Sequence, residues 1–223
     1  ENMIELKSIE KEYGINGHSQ QVLNGITITL DKGNIYALVG PSGSGKSTLL
    51  NIIGGLIHPT KGEVKIGDKN ITEFNSNQLA ELRTNDIGFI FQDFNLIPFL
   101  NVKENILFSL RLKGEKIENH SDNYEQLVNW LGIKKIEEKY INEISGGEQQ
   151  RTAIARCLLM EPKIILADEP TGNLDKKNTD AFLKLIRTLP FMENKVFIIV
   201  THDESVERFC DQVFKLEEGQ IIT

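Results

Sequence analysis

The chain has 223 residues, which is enough for one large domain or for one domain with a small insert. Its 39% hydrophobic and 26% charged residues are typical of a soluble globular protein with an ordinary core. The formal net charge of −7 argues against nucleic acid as a partner, because nucleic-acid binding needs a basic surface. No apolar run approaches a membrane span, and the two cysteines, Cys157 and Cys210, favour a reduced cytosolic protein.

Two strand patterns occur along the chain. Apolar and polar residues alternate over 26–30 and 64–66, which predicts strands with one solvent-exposed face in the N-terminal part of the chain. Continuous apolar runs over 35–39, 164–167 and 196–200 predict parallel strands that are buried on both faces.

Helical periods separate these strands. One follows the first buried strand and is stopped by glycines 54 and 55, a second lies between the last two strands, and a third lies in the middle of the chain. Their apolar positions are Leu49, Ile52, Ile53 and Leu56; Phe182, Leu185, Ile186 and Leu189; and Tyr124, Leu127, Val128 and Leu131, with Gly132 as a cap. Residues 113–122 are polar, and we expect them to form a surface loop. The pattern indicates an α/β core with an inserted, mostly helical region.

A glycine-rich stretch follows the first buried strand. Gly40-Pro41-Ser42-Gly43-Ser44-Gly45-Lys46-Ser47 matches the phosphate-loop pattern, between a strand and a helix as the pattern requires. Glycines let the backbone wrap an anion, and the N–H groups at a helix N-terminus attract it. Lys46 adds a full positive charge for the β- and γ-phosphates, and the Ser47 hydroxyl can hold Mg²⁺.

Two further segments carry weaker signals. The apolar strand over 164–167 ends in Asp168 and Glu169, which would suit a metal site and a base that polarises water. Alone, this pattern is more often a strand that reaches solvent. Ser145 and Glu148 form a capping box before a helix, and the glycines between them leave its N-terminus bare for an anion. From that segment alone, a plain helix start is the preferred interpretation.

Together these motifs resemble the nucleotide-binding domains of ABC ATPases over nearly the whole chain. Residues 40–47 resemble the Walker A loop, 164–169 Walker B with its catalytic glutamate, and 145–149 the ABC signature. Gln92 resembles the Q-loop glutamine, Asn173-Leu174-Asp175 the D-loop, His202 the switch histidine and Tyr13 the aromatic that stacks on adenine.

The resemblance implies a fold, a site and two cofactors, ATP and Mg²⁺. The fold is α/β, a P-loop NTPase core with a mostly parallel sheet, an N-terminal antiparallel β subdomain and an inserted helical subdomain. Residues 1–92 and 161–223 would form the core, and 93–160 the helical subdomain with the signature. The implied catalytic residues are Glu169, His202, Gln92 and Lys46. The implied metal-site residues are Ser47, Gln92 and Asp168. The implied nucleotide-binding residues are Tyr13, Gly40, Pro41, Ser42, Gly43, Ser44, Gly45, Lys46, Ser47, Thr48, Ser145, Gly146, Gly147 and Asp175.

The signature departs from the usual L-S-G-G-Q of this family at two positions. Ile144 replaces leucine, which is a mild change, and Glu148 replaces glutamine. A carboxylate aimed at a γ-phosphate would repel it. We therefore expect Glu148 to turn back and cap its own helix.

The family also implies partners. Two copies of the ATPase subunit, or a pair of related subunits, would close on ATP, with the signature of one chain covering the nucleotide of the other. A separate transmembrane permease would hold the pair at the cytoplasmic face of the membrane. The segment 93–104 lies where such a permease docks, and its apolar residues could serve as the rim or pack inward. They are Phe94, Leu96, Ile97, Pro98 and Phe99.

Three stretches, over 90–98, 102–106 and 168–175, most resemble the lipoprotein-releasing, macrolide-exporting and antimicrobial-peptide-resistance branch. An exporter or extractor of peptide, lipoprotein or drug-like substrates is therefore expected. One alternative is a non-transport ABC ATPase, although the chain lacks the coiled coil, second cassette or cysteine clusters of such proteins. Another is a small-molecule kinase with the same phosphate loop. Neither the direction of transport nor the pairing of identical chains is encoded here.

Overall fold

The computed structural model describes residues 2–15, 18–189 and 192–222, and these form ten strands and seven α-helices. The strands are β1 (Asn2–Ile15), β2 (His18–Asp31), β3 (Ile35–Val39), β4 (Lys61–Ile66), β5 (Lys69–Asn70), β6 (Ile87–Phe91), β7 (Ile164–Asp168), β8 (Val196–Val200), β9 (Gln212–Glu217) and β10 (Gln220–Ile222). The helices are α1 (Lys46–Ile53), α2 (Ser76–Asn85), α3 (Val102–Lys113), α4 (Ser121–Trp130), α5 (Gly146–Leu158), α6 (Lys176–Arg187) and α7 (Glu204–Phe209).

Two sheets organise the molecule. The larger has the order β10-β9-β3-β8-β7-β6, and all of its neighbouring pairs are parallel except the β9–β10 hairpin. The smaller sheet, β2-β1-β4-β5, is antiparallel throughout. The predicted fold class, an α/β protein with a mostly parallel sheet and an N-terminal antiparallel unit, is confirmed.

The strands at the centre of the parallel sheet contribute alternate residues to two apolar clusters. In β3, Ile35 packs into one cluster while Tyr36 and Leu38 pack into the other, and β7 and β8 divide in the same way. One cluster lies towards α1 and the antiparallel sheet, and the second lies towards α3 to α6. Burial on both faces explains why these strands are apolar at every position.

The chain between β6 and β7 is helical. It contains α3, α4, α5 and short 3₁₀ turns, and its one extended contact is an isolated bridge between Asn101 and Tyr140. The apolar side chains of this region share a cluster with strand residues such as Ile165 and Phe197. The 93–160 boundary of a helical subdomain therefore stays a prediction.

Three local predictions need correction. Residues 113–122 are not one loop, because α3 runs to Lys113, a 3₁₀ turn covers Ile117–His120 and α4 begins at Ser121. Gly114, at a φ of 73°, ends α3 in the left-handed conformation and lets the chain turn at once. Leu56 lies beyond the end of α1 and is 47% exposed, and Leu189 is buried beyond the end of α6.

Over the described ranges, no helix combines the length and the hydropathy that a bilayer crossing requires.

Candidate functional site

The carboxyl ends of four parallel strands lie side by side at one edge of the large sheet. Phe91 is in register with Asp168, and Asp168 and Leu38 are both in register with Val200. The segments that follow β3, β6, β7 and β8 therefore meet at this edge, where ligands bind in open α/β sheets. They carry the phosphate-loop pattern, Gln92, Glu169 and His202.

The loop between β3 and α1 needs glycine at two of its turns. Gly40 has a φ of 143°, and a Cβ atom there would lie 2.0 Å from the carbonyl oxygen of Leu216 in β9. Gly45 has a φ of 103°, and a Cβ there would lie 2.7 Å from Cδ2 of Leu23. No other residue fits these positions without moving backbone or core, so the loop is tightly determined.

Helix α1 begins in this loop with a bare N-terminus. Its N-cap residue, Gly45, makes no side-chain capping bond, and no acidic residue occupies the first turn. Lys46 is only 8% exposed, and its ammonium donates to the carbonyl oxygens of Gly40 and Pro41, both at 2.8 Å. A buried cation with two neutral partners, next to a helix N-terminus, makes the loop strongly attractive to anions.

A cleft of about 740 Å³ surrounds this loop. Its lining brings together most of the predicted nucleotide residues with the acidic pair and the histidine. The lining residues are Gln20, Val22, Gly40, Pro41, Ser42, Gly43, Gly45, Lys46, Ser47, Thr48, Asp168, Glu169, Val200 and His202. Gln20 and Val22 were not predicted, because they belong to β2 and no local motif marks them.

Six predicted nucleotide residues are absent from this lining, namely Ser44 and Tyr13 and also Ser145, Gly146, Gly147 and Asp175. The Ser44 side chain faces inward, and its buried Oγ has no hydrogen-bond partner among the described residues. Tyr13 is 38% exposed in β1, with the Lys11 ammonium 5.1 Å from its ring centroid, and is the cross-strand neighbour of the lining residue Gln20. Adenine stacking by Tyr13 therefore stays a prediction.

A second, smaller cavity of about 380 Å³ lies beside the first and is lined by Ser47, Gln92, Asp168 and Glu169, among others. The Ser47 hydroxyl donates to Oδ1 of Asp168 at 3.4 Å. Within the described residues, no group of three or more His, Cys, Asp or Glu side chains could hold a metal alone. The oxygen donors here suit Mg²⁺, which commonly takes one or two protein ligands and completes its shell with phosphates and water.

Gln92 is tied to the loop after β7. Its side-chain amide donates to Oδ1 of Asn173 at 3.4 Å, and the Asn173 amide donates to the Gln92 carbonyl at 3.1 Å and to Asp93 at 3.0 Å. These hydrogen bonds join the segments that follow β6 and β7 at the mouth of the site.

Glu169 and His202 form a direct pair. Oε1 of Glu169 lies 2.9 Å from Nδ1 of His202, and this hydrogen bond, with the attraction of the carboxylate, raises the pKa of His202 above its ordinary value. Glu169 sits at a φ of 48°, in the left-handed region that costs a non-glycine residue roughly 1–3 kcal/mol. His202 remains largely exposed, so the pair is accessible from the cleft.

The segment 145–148 caps α5 as predicted. The Ser145 N–H and hydroxyl donate to Oε2 of Glu148 at 2.8 and 2.9 Å, and the Glu148 N–H donates to Oγ of Ser145 at 3.3 Å. These bonds, led by the one from the Ser145 N–H, lower the pKa of Glu148. The expectation that Glu148 turns back onto its own helix is confirmed.

Ser145, Gly146 and Gly147 line neither cavity of the site described above. A Cβ atom on Gly146 would meet no atom within 4 Å, whereas one on Gly147 would lie 2.4 Å from Oδ1 of Asn178. Asp175 lies nearby as the N-cap of α6, where its carboxylate accepts from the Asn178 N–H at 2.8 Å. The signature thus packs against the D-loop helix of its own chain and leaves Gly146 open.

The apolar residues after Gln92 differ in their burial. Phe94 is buried, with 5% exposure, whereas Phe99 is 77% exposed. Close by, α2, β6, α3 and α5 enclose a groove of about 390 Å³. Its apolar lining includes Phe89, Phe108 and Leu112, and Leu112 is 73% exposed.

A glycine-rich anion site after β3, at the carboxyl edge of a parallel sheet, and an acidic pair at the end of β7, two strands away, define a P-loop nucleotide-binding protein. A family model described as ABC transporter matches residues 23–172. The chain belongs to the ABC transporter family. It is the subunit of such a transporter that binds and hydrolyses ATP.

Relatives cover the chain almost completely. It is 39% identical over 221 residues to the bacitracin export ATP-binding protein BceA of Halalkalibacterium halodurans, covering 99% of this chain and 87% of that protein. It is 37% identical over 214 residues to the lipoprotein-releasing system ATP-binding protein LolD of Blochmanniella floridana, covering 96% and 91%. Such relatives favour a transport role over a non-transport ATPase.

A solved structure is similar over its whole length. The dimeric, post-hydrolysis structure of the ATP-binding cassette MJ0796 of Methanocaldococcus jannaschii, bound to ADP and Pi, superimposes with a TM-score of 0.88. The two chains are 36% identical, and the match covers 99% of this chain and 97% of that one.

Proposed function

We propose that the cleft around residues 40–48 binds the triphosphate of ATP. This rests on Lys46, a buried residue whose ammonium has two neutral carbonyl partners and no carboxylate partner among the described residues, at the bare N-terminus of α1. An arriving phosphate supplies the negative charge that this arrangement lacks. Tyr13, the cross-strand partner of the lining residue Gln20, would stack on adenine.

Mg²⁺ would be held beside the phosphates by Ser47, Asp168 and Gln92. The donor set supports this, since a hydroxyl, a carboxylate and an amide oxygen are hard ligands that leave positions free for phosphate and water. When bound, the ion would neutralise charge that develops on the phosphate oxygens.

Glu169 would polarise the attacking water, and His202 would orient the γ-phosphate. Their 2.9 Å contact supports a shared task, because a protonated His202 can donate to phosphate while Glu169 accepts from water. Gln92 would position the water from the neighbouring loop.

The working unit would be a pair of subunits with ATP at the interface. Gly146 is open at the N-terminus of α5, and Ser145, Gly146 and Gly147 all lie outside the cleft of their own chain, which supports a role of this segment on the nucleotide of a neighbour. Asp175, which caps α6 beside this segment, would help to organise the interface with the facing subunit.

A separate transmembrane permease would hold the pair at the cytoplasmic face of the membrane. The groove between α2, β6, α3 and α5, together with exposed Phe99, offers an apolar surface for a helix of that partner. The names of BceA and LolD support an exporter or extractor of peptide, lipoprotein or drug-like substrates as the particular role.

The catalytic assignment is tested by Glu169→Gln. The variant keeps the cleft and should bind ATP, but loss of the base should lower turnover by about 10²- to 10⁴-fold. With ATP retained, the chain should accumulate as a dimer, measured by light scattering after size exclusion.

The matched control is Glu81→Gln, which removes the charge of an exposed glutamate on α2. It should hydrolyse ATP at the wild-type rate. Near-normal turnover in Glu169→Gln would remove Glu169 from its role, and a strictly monomeric ATP complex would argue against the paired site.

A further inference from the structure

Helix α5 contacts the turn after Gln92 through one side chain. The Arg156 guanidinium donates from Nη1 to the Asn95 carbonyl at 2.6 Å and from Nη2 to the Phe94 carbonyl at 2.7 Å. Two donors of one planar group thus hold two consecutive peptide units, which fixes both their distance and their direction.

The turn that Arg156 holds is one that the backbone does not adopt readily. Phe94 and Asn95 have φ values of 60° and 47°, so two consecutive non-glycine residues are left-handed. Such conformations persist where surrounding contacts impose them, and they occur often at functional sites. The bonds from Arg156 supply such a contact.

Ion pairing does not account for the placement of Arg156. Within the described ranges no carboxylate pairs with it, and the partial burial of the guanidinium lowers its pKa. A half-buried cation that serves only backbone carbonyls carries a desolvation cost that an ion pair would have reduced. Such a cost is expected where a side chain is retained because its geometry is needed.

A second bond runs from the same helix to the other side of the site. The buried Gln150 amide donates to the Pro170 carbonyl at 2.7 Å, directly after Glu169. Helix α5, which begins at Ser145, therefore holds the segments that follow β6 and β7 at two points six residues, or about 9 Å, apart.

We propose that Arg156 is a positioning residue for ATP hydrolysis, which sets Gln92 by holding the turn at Phe94 and Asn95 and ties that setting to the orientation of α5. The inference rests on the proposed role of Gln92. If α5 moves when its N-terminus binds a nucleotide, Arg156 would transmit that movement to the loop that carries Gln92.

The test compares Arg156→Met, which keeps the stem and removes all donors, with Arg156→Lys, which restores the charge and a single donor group. Arg111→Met, at an exposed position in the last turn of α3, is the matched control. Each full-length variant is measured for ATP affinity with a fluorescent analogue, for kcat and KM, and for folding through its only tryptophan, Trp130.

We expect Arg156→Met to bind ATP within about twofold of wild type while kcat falls about 10- to 100-fold, as for a misplaced catalytic group. Arg156→Lys should recover part of kcat, and Arg111→Met should match wild type. Amide exchange should rise in Arg156→Met over residues 92–98 and stay unchanged over 164–169.

Two outcomes would overturn the inference. One is a wild-type kcat in Arg156→Met; the other is a joint loss of ATP affinity and of the Trp130 unfolding transition, which would mean that Arg156 serves folding alone. Gln92→Ala tests the premise independently of Arg156. If this variant hydrolyses ATP at the wild-type rate, the proposed role of Gln92 is wrong, whatever the result for Arg156.

Discussion

Glu169, the proposed base, is paired with His202, whose side chain is largely exposed. The raised pKa of His202 means that the folded chain holds a proton there more tightly than the unfolded chain does. The stabilisation is complete below the ordinary histidine pKa of about 6.5 and is lost as pH rises through the higher folded-state value. Turnover that needs the imidazolium should therefore extend above pH 6.5.

Replacement of Glu169 by glutamine should lower the pKa of His202 towards 6.5, because the negative partner is lost while the ring stays in place. The NMR titration of the His202 ring in the nucleotide-free protein measures this, with His202→Gln to assign the signal. An unchanged midpoint in Glu169→Gln would show that the pair does not control this histidine.

Glu148 shows how the conformation of one side chain can be predicted from its charge together with a capping-box pattern. Repulsion between a carboxylate and a γ-phosphate led to the expectation that this side chain turns back, and the box with Ser145 confirms it. The same box engages the Ser145 hydroxyl, so a phosphate that recruits this hydroxyl must compete with Glu148 for its proton.

At the scale of elements, the contact between β6 and α5 leaves no space for one more carbon atom. A Cβ atom on Gly88 would lie 2.3 Å from Sγ of Cys157 and 3.0 Å from Cγ of Pro162. This contact packs the strand that leads to Gln92 against the helix that begins at the signature.

Gly88→Ala should therefore destabilise the chain by about 1–3 kcal/mol through overpacking. The double variant with Cys157→Ala should recover part of that loss, because the sulfur that the new methyl group meets is gone. Urea unfolding followed by Trp130 fluorescence gives both values. Gly14→Ala, where a Cβ meets nothing within 4 Å, serves as the control. Equal stability of Gly88→Ala and wild type would contradict this packing.

The elements that could be predicted are those whose signal is local. Continuous apolar runs marked β3, β7 and β8, and helical periods marked α1, α4 and α6, because burial on two faces or one leaves a trace in consecutive residues. The 3₁₀ turn over Ile117–His120 and the start of α4 at Ser121 were missed, since residues 113–122 are polar and carry no apolar period.

At the scale of the whole molecule, the open position of Gly146 allows a substitution that affects assembly without affecting folding. A side chain on Gly146 would find space in the single chain, so Gly146→Val should fold and bind ATP yet block the neighbouring subunit. Lys46→Ala should lack the positive charge of the phosphate loop but keep its own signature segment, 145–149, intact.

Each variant alone should be inactive, whereas an equal mixture should regain about a quarter of the wild-type rate. Half of the dimers would be mixed, and each mixed dimer would have one complete site of two. A mixture that stays inactive, or a Gly146→Val chain at full rate, would contradict a site shared between subunits.

The site itself was predictable only in its motifs. The phosphate loop, the acidic pair and the residues taken from the family resemblance are each marked by short stretches of sequence. The bonds of Arg156, the lining by Gln20 and Val22 and the closure of Gly40 on Leu216 join residues far apart in the chain. No local pattern records such pairings, because they arise only when the sheet order brings the segments together.

That sheet order has a consequence for how the protein is made. Strand β3, which leads into the phosphate loop, lies between β8 and β9, and these neighbours begin at Val196 and Gln212. A ribosome that adds about 5–20 residues per second leaves β3 without either hydrogen-bonding neighbour for roughly 8–30 s. Throughout that interval the nascent chain carries an apolar strand with two bare edges, so the cleft cannot form before β8 has been synthesised.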